Sequence, residues 1–479
     1  EIRLLDPACG SMHFGLYAFD LFETIYSEAW ELNVATLRED FPTKEALLLE
    51  MPRLIIEHNI HGVDIDPRAT QIAGLALWLR AQRTWKNQKV SATDRPKVKR
   101  SNIVCAEPMP GDQDQLAEFT AKLHPAIAQM VAHIFEKMQL AGEAGSLLKI
   151  EEEITALVDE AKAAWQKIGK HEGEMFSMAE IVNADGRSGT QQILDTGDWN
   201  VSTLSSISHR DFFEKAESEI YAQLARYAET AGSGSYKRKL FANDAAHGFA
   251  LIDLCSKRYE AVVMNPPFGE PAMSVKGYIR EQYVNSYVDL FASFVDRAVS
   301  NSRKTGFIGV LSTEAGFFRR TLEAWRRHVL LESSTLSHMA HFGGHMLDGA
   351  TVRTAAYVLS KQNSRDRSLF YRLMGKEGRD QRLIESIKSI RSFKNIDKEV
   401  YSISQSEFLK LPYAVFGYWC SSTLINSFVH LPQLEEMACV RSGLSTLKDF
   451  RFLRLSWEVP CKNKGLGKAW APLAKGGEY

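Results

Sequence analysis

Two adjacent prolines directly behind an apolar triplet constrain this chain more than any other feature. In Val262-Val263-Met264-Asn265-Pro266-Pro267-Phe268-Gly269 the triplet predicts a buried strand. The prolines end it, because each removes a ladder donor and fixes φ. The backbone then leaves a sheet at the carboxyl edge of the strand, where open α/β sheets bind ligands. Three groups are offered there: the Asn265 amide, the Pro266 carbonyl with no neighbouring N–H to compete for it, and the Phe268 ring. Two acceptors side by side can hold the hydrogens of an amine conjugated to a ring, and an aromatic face can stack on that ring. A Pro-Pro turn that merely closes a strand uses the same residues, so the stretch needs context.

The chain supplies that context from its start. Ile2–Asp6 reads as a short buried strand, followed by the small residues Pro7-Ala8-Cys9-Gly10-Ser11 and a helix over Phe14–Glu31. Small residues behind a strand let the backbone approach a ligand, and the helix start points free N–H groups at it. Leu54–Asp66 is the next strand signal, with Ile55, Ile56, Ile60 and Val63 ahead of Asp64 and Asp66. An acid at the end of a second strand is what dinucleotide-type folds use to accept ribose hydroxyls, and Asp64 is the better placed. Asp66-Pro67 reads as an N-cap, before a helix whose Ile72, Leu75, Trp78 and Leu79 predict a core face. Asn102–Pro108 reads as a third strand with Glu107 as its terminal acid. Cys9 tempts a nucleophile assignment, but a cysteine in a glycine turn packs as a small hydrophobe far more often. His13 and His61 lack metal-ligand spacing, and no metal is expected.

At 479 residues the chain predicts two or three domains, and its apolar content of 45% and charged content of 24% are those of a globular protein. The net charge of −1 hides a segregation. Residues 111–235 carry 21 Asp/Glu against 10 Lys/Arg, whereas residues 361–400 carry 11 Lys/Arg against 6 Asp/Glu. Within the acidic part, Leu116, Phe119, Leu123, Ile127, Met130 and Ile134, then Ile150, Ile154, Leu157, Ala161, Ala164 and Ile168, predict an antiparallel helical hairpin. Gly232-Ser233-Gly234-Ser235 reads as a flexible joint closing it. An acidic arm would repel a polyanion, so it is expected to support the fold or dock a partner rather than touch one. The six cysteines are scattered without a Cys-x-x-Cys pair, which fits a reducing compartment. With no signal peptide or membrane-length apolar run, no membrane association is expected and the cytoplasm is the default. Glu1–Leu5 begins inside a strand and Gly476–Tyr479 stops without a closing element, as in a piece of a longer protein.

Behind the joint, Phe249–Leu254 and Tyr259–Met264 return the chain to the sheet. Pro271–Asn285 is polar and short of periodicity, as a lid loop is; Tyr287–Val299 predicts an amphipathic helix and Gly306–Leu311 a buried strand. Ser337–Phe342 and Thr351–Leu359 predict a closing antiparallel pair. The run from Lys361 to Lys398, with Arg365, Arg367, Arg372, Arg379 and Arg382, suits either phosphate contacts or a solvated face.

Asn-Pro-Pro-Phe behind an apolar strand resembles the catalytic motif of amino-group methyltransferases, and Asp6-Pro7-Ala8-Cys9-Gly10-Ser11-Met12-His13-Phe14 resembles their S-adenosylmethionine motif. Met12 stands where many relatives have a second glycine. The order of cofactor motif, catalytic motif and C-terminal region resembles the gamma arrangement of DNA adenine methyltransferases. Asp6–Trp30, His61–Ala69, Asn102–Gly111 and Arg451–Glu458 narrow the likeness to the Pgl/BREX phage-defence adenine methyltransferases. The resemblance implies a Rossmann-like class I methyltransferase α/β sheet with a helical insertion and the start of a C-terminal target-recognition domain. Its divisions are a cofactor half over 1–110, the acidic insertion over 111–240, a catalytic half over 241–400, and a connector with the start of the recognition domain over 401–479. It implies that S-adenosylmethionine is held by Asp6, Pro7, Ala8, Cys9, Gly10, Ser11, Phe14, Asp64, Ile65 and Glu107, with Asp6 near the methionine ammonium and Ile65 against the adenine ring. Asn265, Pro266, Pro267 and Phe268 would act on an adenine flipped out of double-stranded DNA, with Phe342 (or Met346) as a second wall of the base pocket. Other phage-defence proteins are open partners. Three further readings stay open: the methylase part of a fused restriction-modification enzyme, a protein-glutamine methyltransferase, and a cofactor-gated DNA-binding subunit.

Overall fold

The computed structural model describes residues 2–109, 112–121, 125–152, 235–344, 352–362, 367–375, 377–392, 399–432, 434–438, 449–465 and 467–473. Two compact units divide the chain, Glu1–Ser421 and Ser422–Tyr479. The first is built on one sheet of nine strands: β1 (Leu4–Asp6), β2 (Ile60–Asp64), β3 (Asn102–Cys105), β4 (Tyr259–Met264), β5 (Ser302–Thr313), β6 (Thr335–Gly343), β7 (Thr354–Ser360), β8 (Arg367–Arg372) and β9 (Val400–Ser404). Their spatial order is β3-β2-β1-β4-β5-β7-β6-β8-β9. The run β3-β2-β1-β4-β5 is parallel throughout, with Leu4 opposite both Ile60 and Ala261. β7 runs against both β5 and β6, the reversed pair that the sequence predicts. Chain order departs in opposite directions from β1 and β4, so the crevice between their carboxyl ends is the topological switch point.

The two-residue period of a strand sorts the core onto both faces. Leu4, with Cys9 and Met12, packs under α1 (His13–Glu31), α3 (Lys44–Leu54) and α4 (Pro67–Asn87), the short α2 (Ala35–Asp40) lying between the first two in sequence. Leu5, Val262, Met264, Ile308 and Leu359 face the other way, into the largest cluster. That cluster takes in Leu116 and Phe119 of α5 (Gln113–Thr120), Val131, Ile134 and Phe135 of α6 (Pro125–Lys137), and Ala141 and Ala144 of α7 (Ala141–Ala144). The described start of the acidic segment is therefore core, Ile150 included; Leu123, the second half of the expected hairpin beyond Ile150, and the Gly-Ser joint apart from Ser235 lie outside the described residues.

Several expectations need correction. Leu54–Asn59 belongs to a helix whose last turn widens to a π-helix, and the strand starts only at Ile60. Phe249–Leu254 closes a 22-residue helix, α8 (Ser235–Ser256), not a strand; apolar runs of that length do not discriminate between the two. Pro271–Asn285 is not an open loop, since α9 (Met273–Gln282) occupies most of it and buries Val275 and Ile279. The helix before β5, α10, begins at Leu290, not at Tyr287. On α4 the faces are exchanged: Ile72, Leu75, Trp78 and Leu79 are 54%, 56%, 46% and 53% exposed, while Ala73, Leu77, Ala81 and Trp85 are buried. Small residues at 73 and 81 let the helix axis approach its neighbours, and the bulkier stripe is left outside. Met12 adopts φ 69°, which explains why a glycine would suit that position, and its side chain is fully buried against Gly15.

One buried cation ties the acidic segment to the sheet. Arg297 of α10 donates to the Ser146 and Leu148 carbonyls (3.0 and 3.2 Å) and makes a two-pronged pair with Glu151 (2.5 and 2.9 Å). Removing one member of a buried pair strands the other without water or counter-charge. Arg297→Ala is expected to destabilise the first unit by about 3–5 kcal/mol, read from chemical denaturation; a loss no larger than that of an exposed Arg→Ala would show that the clamp carries no weight.

The second unit is described here only in parts. It holds α14 (Ser422–His430) and a segment from Asp449 onward, in which Gly465 N–H donates to the Trp470 carbonyl (2.9 Å). The first unit also holds α11 (Ala315–Phe318), α12 (Arg379–Arg391) and α13 (Ser406–Leu409).

Candidate functional site

The loop behind β1 is held by the end of β2. Cys9 N–H donates to the Val63 carbonyl (2.9 Å), and Gly10 N–H donates to Asp64 Oδ2 (2.8 Å). Asp64 Oδ1 accepts from Asp66 N–H (2.9 Å), so one carboxylate shapes both loops. Each of its oxygens keeps a second lone pair for a hydroxyl donor. Gly10 has φ 51°, and a Cβ there would meet open space, so the outer side of the turn is accessible to a ligand. Asp66 caps α4 through Arg68 N–H (2.9 Å), the bland role read from sequence. Cys9 is buried, and burial pushes its thiol far above the ordinary range, which leaves no thiolate for nucleophilic chemistry. His61 is buried edge-on to Tyr259 and burial lowers it to about 4, as in a neutral core imidazole.

Asp6 is the anomaly of the loop. It is 2% exposed, its Oδ1 accepts only the long Ala8 N–H bond (3.3 Å), and among the described residues no Lys or Arg pairs with it. Burial pushes its carboxyl up to about 7 against the pull of that bond, and the charge of Asp64 adds to the rise. A cationic ligand group would repair this deficit.

Asn265 follows β4 at the same edge. Since Leu5 stands opposite Val262, the Asp6–Ser11 loop and the Asn265–Phe268 turn leave neighbouring parallel strands in the same direction, about 5 Å apart. Asn265 is exposed and, among the described residues, its amide has no hydrogen-bond partner; Pro266 is buried, and Phe268 is about one-third exposed. The turn is fixed from behind. Gly269, with φ 106°, donates its N–H to Asp289 Oδ1 (2.7 Å), and its carbonyl accepts from Leu290 N–H (2.8 Å). The exposed Asn265 amide thus sits on a loop clamped to the start of α10.

The edge brings together Asp6, Pro7, Ala8, Cys9, Gly10, Ser11, Asp64, Ile65, Glu107 and the Asn265–Phe268 turn, each at or just past the end of β1, β2, β3 or β4. Phe14 opens α1 and lies partly exposed beside Val263 in an apolar cavity of about 680 Å³ on the α1 face of the sheet. Phe342 is placed differently. It is 5% exposed and packs with Ala340, Tyr371, Leu373 and Val400 under α12. Phe342 is thus a core aromatic and not a wall at the strand edge, and Met346 lies outside the described residues. Two residues of the site carry no motif and are not legible beforehand: Asp289, and Ser146, whose hydroxyl donates to the Pro7 carbonyl (2.8 Å). Gly145, with φ 56°, lies beside Ile65, where a Cβ would come within 3.0 Å of Ile65 Cγ2.

A carboxyl raised on folding holds its proton more tightly when folded, so Asp6 lowers stability as pH climbs from its ordinary 3.8 through about 7. Asp6→Asn is therefore expected to raise the melting temperature at pH 8, by an effect of at most roughly 4 kcal/mol, and to bring no gain at pH 4. Melting curves at both pH values check this; an equal shift at both would remove the charge from the explanation.

The sheet order, the reversed strand beyond β5, and the acids and amide gathered at the switch point define a Rossmann-like methyltransferase fold. The chain belongs to the Eco57I restriction-modification methylase family, whose model matches residues 58–347. It is similar to the adenine-specific methyltransferase BrxX of Escherichia coli O9:H4 (strain HS), at 27% identity over 490 residues that take in 100% of this chain and 35% of BrxX. It is also similar to the adenine-specific methyltransferase PglX of Lacticaseibacillus casei (strain Zhang), at 23% identity over 503 residues, 100% of this chain and 34% of PglX. The chain thus spans about a third of the length of these curated relatives. Among the described residues no helix is long and apolar enough to cross a membrane.

Proposed function

We propose that the chain carries the catalytic part of a site-specific adenine methyltransferase acting on double-stranded DNA, in a phage-defence setting where the mark separates self from non-self. The observation that carries this reading is the adjacency of the Asn265–Phe268 turn and the Asp6–Ser11 loop on paired parallel strands.

The residues present fit S-adenosylmethionine. Asp6, buried without a counter-charge, would hold the methionine ammonium; the turn from Pro7 to Ser11 gives its backbone to the chain of the ligand; Phe14 stands at the entrance. Asp64 offers its two remaining lone pairs to ribose hydroxyls, Ile65 flanks the adenine ring, and Glu107 faces its amine. Bound there, the cofactor supplies a methyl group already activated by sulfonium charge.

The chain's own residues then position the acceptor. Basic side chains hold the duplex, one adenine is extruded, and Phe268 stacks on its plane. Asn265 Oδ1 and the Pro266 carbonyl accept the two hydrogens of the exocyclic amine, which turns the nitrogen lone pair toward the methyl group. Pro267 holds the turn rigid, and the Asp289–Gly269 bond keeps it in register. Catalysis in this arrangement is positioning and charge placement, with no covalent intermediate. Phe342, packed under α12, is left out of the base pocket. Residues 111–240 and 401–479 are proposed as a helical insertion and as the connector to a target-recognition domain, and other defence proteins as partners.

Asn265→Ala is expected to keep cofactor affinity within about twofold and to lower methyl transfer at least a hundredfold, since it removes an interaction made with the reacting amine. The measurement is incorporation of labelled methyl groups from the cofactor into plasmid DNA, beside a protein extract as acceptor. Transfer by the variant at the wild-type rate would sink the assignment, and label entering only protein would point to a glutamine amide as acceptor.

A further inference from the structure

Beyond the tetrad, the carboxyl edge of the sheet carries a second organised surface. β5, β6 and β8 run parallel to one another, and their carboxyl ends deliver Glu314, His341 and Arg372 along the same edge of the sheet as the Asn265 turn of β4, with β5 its immediate neighbour. Exposed on this rim are Arg319 and Arg320 behind β5, Tyr413 and Trp419, with Phe318 and Arg372 half-buried among them. The cations are arranged unusually. Among the described residues none of Arg319, Arg320 and Arg372 lies within ion-pair distance of a carboxylate. Two of them stack on rings instead: Arg320 is 4.6 Å from the centroid of Tyr413, and Arg372 is 5.0 Å from that of Trp419. Phe318 joins the two halves, 5.6 Å from Trp419.

The rim is also rigid beyond what an ordinary loop needs. Tyr413 and Ala414 are consecutive non-glycine residues in the left-handed region, with φ 57° and 51°. Such backbone persists only where its surroundings enforce it. The enforcing group is Arg326, fully buried, which donates to the carbonyls of Gly316 (2.7 Å), Arg319 (2.8 Å), Tyr413 (2.8 Å) and Ala414 (3.1 Å). One guanidinium therefore staples the Phe318–Arg320 segment to the Tyr413 loop. Beneath Phe318 lies His341, whose ring nitrogens meet Glu314 (2.5 Å) and the Tyr418 hydroxyl (2.8 Å).

We propose that Phe318, Arg319, Arg320, Arg372, Tyr413 and Trp419 form a strand-binding rim that grips the phosphates of the DNA beside the extruded base and stacks one of its unpaired nucleobases. This deepens the DNA-methylation reading and rests on it. Arginines without an ion-pair partner, two of them over aromatic rings, match what a nucleic-acid strand presents, negative phosphates and the π faces of its bases. Contacts of this kind are independent of sequence, so the rim supplies affinity and register, not the choice of site.

The test uses the 479-residue chain and a mixed-sequence duplex of about 30 base pairs carrying one abasic position, titrated between about 50 and 200 mM salt. Arg319→Gln with Arg372→Gln is expected to weaken binding about tenfold or more and to reduce the salt slope by about two, one for each lost phosphate contact. Trp419→Ala is expected to weaken it about fivefold or more with the slope unchanged, and Trp419→Phe, which keeps a stacking face, to restore it. The control is Arg83→Gln with Lys304→Gln, which removes as much charge away from this edge, and cofactor affinity is read in every variant. Rim variants that bind DNA like the control overturn the proposal, as does a wild-type chain that binds no duplex at low salt. If plasmid methylation stays dependent on Asn265 while the rim variants bind normally, the rim alone fails. Rim-dependent binding without Asn265-dependent transfer overturns the methylation reading alone.

Discussion

The parallel pairing of β1 with β4 is the constraint on which the rest depends. Its register, Leu5 opposite Val262, decides that two loops separated by more than 250 residues leave the sheet side by side and in the same direction. Everything the site offers follows from that placement. Backbone N–H groups and a buried acid lie on one side of the crevice, an unclaimed amide and an aromatic face on the other. Because β2 and β3 continue the parallel run, their terminal acids are delivered to the same edge without any long-range side-chain contact.

The fixed ends of these strands would still be loose without ties behind them. Three carboxylates show how the fold divides this work. Asp64 takes one N–H from each of the loops behind β1 and β2 and so couples their shapes. Asp289 takes the N–H of Gly269 and prevents the Pro-Pro turn from swinging. Glu151, reached by Arg297, anchors the segment whose Ser146 hydroxyl supports the Pro7 carbonyl. The described start of the acidic segment thus braces the loop behind β1, a role its net charge does not announce.

How much of this was legible follows from where the information sits. Strand ends with strong chemistry, at Asp6, Asp64 and Asn265-Pro266-Pro267-Phe268, were readable because apolar runs and prolines are local signals. The reversed pair at β6 and β7 was readable for the same reason. The helix containing Phe249–Leu254 was misread because a short apolar run suits either period. Ile72, Leu75, Trp78 and Leu79 were misread because periodicity locates an apolar stripe but not which stripe meets the sheet; Ala73 and Ala81 won by allowing a close approach. The resemblance alone makes Phe342 a wall of the pocket, yet the alternation of its strand turns it, with Ala340, toward α12. Asp289 and Ser146 carry no pattern at all, since a residue that braces a loop from another element is defined only by tertiary proximity.

The outward stripe on α4 has a consequence for handling the molecule. Together with Tyr17 and Leu21 of the packed neighbour α1, it leaves aliphatic and indole surface open to water, beside the Arg80 bridge to Asp20 and Glu23. Sulfate and phosphate salts, being excluded from protein surface, strengthen association of such patches, while they screen the charged bridge. The helix pair is therefore one of the surfaces, with other exposed apolar side chains such as Met273 and Trp457, through which kosmotropic salt favours association of the chain whatever its net charge.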